Sequence, residues 1–69
     1  MTQLEKVLRH LSDYGSITSA EAFLEYGIMR LPARAWDLRK RGYPVVGEKE
    51  RGTNRYGEPV VYSRYRLEA

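Results

Sequence analysis

An α+β fold, three short helices closed by a small antiparallel β-ribbon, is predicted for this chain of 69 residues by three observations. Apolar residues near the N-terminus recur at helical spacing, and two further helical segments follow, joined by a glycine turn. After Tyr43-Pro44 the pattern becomes two strands rich in valine and tyrosine around a glycine-containing loop. Basic residues also crowd into the second half of the chain, which points to a surface built for a polyanion.

The first helix is predicted over residues 3 to 14, because Leu4, Val7, Leu8 and Leu11 fall at i, i+3, i+4 and i+7, and Tyr14 extends the stripe. Thr2 and Glu5 form a capping box at its start, and Gly15 ends it. Ser16 to Thr18 is long enough only for a bridging strand against the edge of the ribbon. Thr18 and Glu21 repeat the capping box for a second helix, with Phe23, Leu24 and Ala20 expected on its buried face.

Gly27 stops that helix and is expected to take positive φ, after which Ile28 plugs the corner. Pro32 suits the first turn of a third helix, since the amide it lacks would be unpaired there. Leu31, Ala35 and Leu38 give that helix a narrow buried stripe, and Arg39, Lys40 and Arg41 supply cations where the dipole favours them. Trp36 lies off the stripe and is expected to pack on the ribbon or on the first helix, with a dimer contact as the alternative. Val45 to Glu50 and Val60 to Leu67 form the ribbon, with Gly52, Asn54 and Gly57 marking its loop. Val61, Tyr65 and Leu67 alternate to one face; Tyr62, Arg64 and Arg66 take the other. Tyr14 and Tyr43, like Tyr65, are expected in the core, and His10 at the surface.

Composition narrows the function. A chain this short buries only about 60% of the surface its unfolded form exposes, so one domain spanning residues 1–69 with a thin margin of stability is expected, without a deep substrate pocket. The absence of cysteine excludes disulfides and thiolate zinc sites, and His10 alone cannot assemble a metal site. No cofactor is expected, nor any catalytic cluster. No apolar run approaches a membrane span and no secretory signal opens the chain, so a soluble cytoplasmic protein is expected. Residues 1 to 29 hold two basic against four acidic residues, whereas residues 30 to 69 hold ten against five.

The element order helix, strand, helix, helix, strand, strand is that of a winged helix-turn-helix domain. In that arrangement the start of the third helix faces base edges in the major groove, which singles out Arg30, Pro32, Ala33, Arg34 and, one turn on, Asp37. Arg34 matches guanine bidentately and Ala33 a thymine methyl; pairing of Arg34 with Asp37 or Asp13 is the structural alternative. Arg39, Lys40 and Arg41 suit phosphates, or solvent at the helix end. On the ribbon, Lys49, Arg51, Asn54, Arg55 and Tyr56 form a cationic tip fit for the backbone or the minor groove.

The stretches ITSAEAFLEYGI, RLPARAWDLRKRGY and NRYGEPVVYSRYRL resemble the small winged helix-turn-helix proteins of bacteriophages and prophages over nearly the whole chain. The most specific parts are the R-x-x-A-R-x-x-D-L-R-x-x-G-Y pattern from Arg30 to Tyr43 and Asn54-Arg55-Tyr56-Gly57. Ala35 departs from the family, which commonly has a larger aliphatic residue there. The resemblance implies DNA binding, and the expected function is sequence-specific binding of double-stranded DNA as a transcriptional regulator or an excisionase-like architectural factor. A domain this small makes few contacts, so self-association on DNA or a protein partner is expected to add specificity, with a free monomer as the alternative. Two other readings stay open at this point, a protein-interaction module on the same fold and a ribbon that grips RNA.

Overall fold

The computed structural model describes residues 1–68; Ala69, the last residue of the expected domain, lies outside them. Helix α1 spans Gln3–Tyr14, β1 Ser16–Thr18, α2 Ser19–Tyr26, α3 Leu31–Lys40, β2 Val45–Thr53 and β3 Pro59–Leu67. The strands form one antiparallel sheet in the order β1-β3-β2, with Ile17 opposite Tyr65 and Gly47 opposite the same residue on the other side. The bridging strand is therefore real. It ties the link between the first two helices to the ribbon.

Both predicted capping boxes form. Thr2 accepts from the Glu5 amide while Glu5 accepts from the Thr2 amide, and Thr18 and Glu21 repeat the exchange. Gly27 has φ 69°, a left-handed conformation that a side chain would strain, and its amide closes α2 onto the Phe23 carbonyl. The chain can then turn at once into α3.

One core serves all six elements. Val7 and Leu11 of α1, Ile17 of β1, Ala22 of α2, Ile28 of the turn, Leu31, Ala35 and Leu38 of α3 and Val45 of β2 are buried together, with Tyr65 and Leu67 packed against them. The stripe on α3 is as the sequence predicts. Only the inner end of the ribbon reaches this core, so the outer part of both nine-residue strands projects as a wing.

Several expectations are corrected. Phe23 and Leu24 are 52% and 79% exposed, and Ala20 is exposed with them; the inward residues of α2 are Ala22 and the half-buried Tyr26. Thr18 and Gly27 fix the ends of this eight-residue helix, and Ala22 is its side chain buried in one cluster with Ile17 and Ile28. Tyr14 and Tyr43 are exposed. His10, expected at the surface, is buried, its Nδ1 2.7 Å from the Tyr26 hydroxyl. Trp36, expected to pack on the ribbon or on α1, is 55% exposed. The strands run further than predicted: Gly52 lies within β2, Pro59 begins β3, and Val61, on the expected face, sits beyond the core.

Candidate nucleic-acid interface

Helix α3 shows a different chemistry on each side. Leu31, Ala35 and Leu38 face inward. On the flank toward α1, the Arg34 guanidinium donates to Gln3 Oε1 at 3.3 Å and pairs with Asp37 at 3.1 Å, while its Nε is buried without a partner. On the flank toward the sheet, Arg39 Nε donates to the Val45 carbonyl at 2.7 Å. Its guanidinium passes Gly47, where a Cβ would also press on the Tyr65 ring at 3.1 Å. Two arginines thus strut α3 against its neighbours. At a helical pitch of 3.6 residues per turn, Ala33, Trp36 and Lys40 fall on the side opposite the buried stripe, with Pro32 at its edge. All of these but the half-buried Ala33 are exposed. The Lys40 ammonium lies 4.3 Å from the centre of the Trp36 ring.

The wing is sorted by charge. Successive strand residues point to opposite faces, so Val45, Gly47, Lys49 and Arg51 share one face of β2 while Glu48 and Glu50 share the other. The first face is the one that packs on the core and α3. Along it, Lys49 donates to the Ser63 hydroxyl at 3.2 Å, a neutral partner that leaves its charge uncompensated. Among the described residues, no carboxylate lies within ion-pair distance of Lys49, Arg51 or Arg55, nor of Arg30, Lys40 or Arg41.

Behind the wing both acids are occupied. Arg66 pairs with Glu48 at 2.6 Å, and Arg64 with Glu50 at 2.6 Å, while the Tyr62 hydroxyl donates to Glu50 at 3.0 Å. The hydrogen bond from Arg64, then that from Tyr62, holds the Glu50 carboxyl below the ordinary glutamate range. Arg64 also donates to Ser16 Oγ at 3.0 Å and reaches Glu21 at 3.5 Å, so one guanidinium joins β2, β1 and the start of α2. The angle of the wing is held from this side.

At the tip, Asn54 shapes the turn. Its Oδ1 accepts from the amides of Tyr56 and Glu58 at 2.9 and 3.0 Å, and its amide nitrogen donates to the Glu58 carboxylate. Arg55 and Tyr56 project into solvent. Of the residues singled out from sequence, Arg30, Pro32, Ala33, Lys40 and Arg41 therefore gather on and around α3, and Lys49, Arg51, Arg55 and Tyr56 lie along the wing. Arg34 and Asp37 are bound to one another on the α1 flank. Trp36 was missed as a surface residue, although its position off the buried stripe was the signal.

A helix strutted for exposure, preceded by a second helix and a tight turn and followed by a protruding two-stranded wing, defines the winged helix class. Residues 2–69 match the family described as winged helix-turn-helix domain, and the chain belongs to that family. No curated protein and no solved structure matches it significantly. Among the described residues, no helix is long and apolar enough to cross a membrane, and no group of three or more His, Cys, Asp or Glu is placed to hold a metal ion.

Proposed function

We propose that the chain is a sequence-specific double-stranded DNA-binding protein without enzymatic activity, with α3 in the major groove and the wing on the backbone or in the minor groove. The sorted charge of the wing carries this reading: Lys49 and Arg51 stand uncompensated on the α3 side, and Glu48 and Glu50 are neutralised behind. Solubility alone does not require the two signs to be separated by face; a polyanion lying along α3 does. Arg30, Lys40 and Arg41 flank the groove-facing surface, Pro32 and Ala33 approach the bases, and Arg55 and Tyr56 extend the grip outward. Arg34 and Asp37 set the pose of the helix, and Asn54 the shape of the tip.

Such a protein acts in the cytoplasm as a phage-type transcriptional regulator or an excisionase-like architectural factor. One small domain makes few contacts, so a second copy on DNA or a protein partner completes the specificity. Fluorescence anisotropy against a random-sequence duplex at two salt concentrations, followed by selection from a randomised pool, tests the proposal. Binding that weakens steeply with salt and enriches a motif supports it. No binding at low salt would sink it. The exposed Phe23 and Leu24 favour a second reading, a protein-interaction module using the apolar face of α2. Loss of a pull-down partner in Phe23→Ser with Leu24→Ser, alongside intact DNA binding, would support that contact.

A further inference from the structure

The outward face of α3 is apolar at its centre. Trp36 stands 55% exposed there, Pro32 and Ala33 adjoin it, and Lys40 rests its ammonium 4.3 Å from the ring centre. The arginines on either flank are engaged, Arg34 with Gln3 and Asp37 and Arg39 with the Val45 carbonyl. What the middle of this face offers a base edge is therefore an indole and hydrocarbon, the unpaired guanidinium groups of Arg30 and Arg41 lying at the two ends of the helix. In the major groove the one apolar group that base pairs display is the C5-methyl of thymine.

We infer that Trp36 is a specificity-determining residue, its ring packing on a thymine methyl near the centre of the binding site while Lys40 takes a neighbouring phosphate. The inference rests on the DNA-binding reading above. A lysine seated against the ring also fixes the indole's orientation before DNA arrives, since cation–π attraction resists rotation of either side chain.

Replacing one thymine by deoxyuridine removes only the methyl and leaves base pairing and charge unchanged. With a duplex selected by the native chain, replacement at the thymine under Trp36 is expected to weaken binding about fourfold, the weight of one methyl group leaving an apolar contact. Trp36→Ala is expected to be indifferent to that replacement, and Trp36→Phe to keep part of the discrimination. Circular dichroism checks that both variants fold, as the exposed side chain leads one to expect. The chain's one tryptophan gives a second readout without mutation: acrylamide should quench its emission less in the complex than in the free protein.

Tight binding in which no thymine methyl matters, in which Trp36→Ala discriminates as the native chain does, or in which acrylamide reaches Trp36 equally would overturn the inference and leave DNA binding standing. Failure to bind any duplex at low salt removes the DNA reading and the inference with it.

Discussion

Arg34 and Arg39 leave α3 on opposite flanks, and each ends on a polar group of a neighbouring element. A base-reading arginine must be free to meet guanine, whereas Arg34 would first have to release Gln3 and Asp37. Arg34→Ala is therefore expected to weaken binding to all duplexes alike by about 1 kcal/mol, through the pose of α3, without changing the motif enriched from a random pool. Relaxed preference at one base position would instead restore it as a direct reader. His10 makes a second case: its partner Tyr26 lies sixteen positions away, so periodicity within α1 carries no sign of the pair. Tyr26→Phe strands a buried ring nitrogen and should cost about 1 to 3 kcal/mol in urea unfolding. Trp36 was legible as lying off the core stripe, but not as exposed. A large ring suggests burial until the packing around it is known.

The elements divide by how local their determinants are. Capping boxes, the Gly27 turn and the Leu31, Ala35, Leu38 stripe each depend on residues within one or two turns, and they were legible from sequence for that reason. The phase of α2 instead puts Ala22 in one cluster with Ile17 and Ile28, and the apolar character of Phe23 and Leu24 pointed the wrong way. The sorted wing was present in the alternation Glu48, Lys49, Glu50, Arg51, yet its meaning needed the register that sets Arg64 and Arg66 beside the two acids. Glu50 links this element to pH. Its carboxyl titrates lower in the folded protein than the ordinary value of about 4.3, so the stabilisation from Arg64 and Tyr62 is full above that value and is lost as pH falls through the folded one. Urea midpoints of the native chain and Glu50→Gln should differ most near neutrality and converge as the pH falls below the ordinary glutamate range. A gap that stays constant across that range would show that Glu50 acts through something other than its charge.

For the whole molecule the position of charge matters more than its sum. The chain carries a net charge of +3, a modest value that by itself gives weak attraction to DNA at physiological salt. Among the described residues four arginines are spent in ion pairs, on Asp13, Asp37, Glu48 and on Glu50 with Glu21, which concentrates the uncompensated cations around α3 and along one side of the wing. Lys49→Gln and Arg66→Gln therefore make an informative pair, because each removes one positive charge and both positions lie on the ribbon. Lys49→Gln is expected to weaken binding and to reduce the slope of log K against log salt by about 0.9, the release expected for one phosphate contact. Arg66→Gln frees Glu48 on the far face, should cost at most about 1 kcal/mol of stability, and should leave the slope unchanged. Anisotropy titrations across a salt series measure both. Equal losses from the two variants would mean that attraction follows net charge alone and that the two faces of the wing are equivalent to DNA.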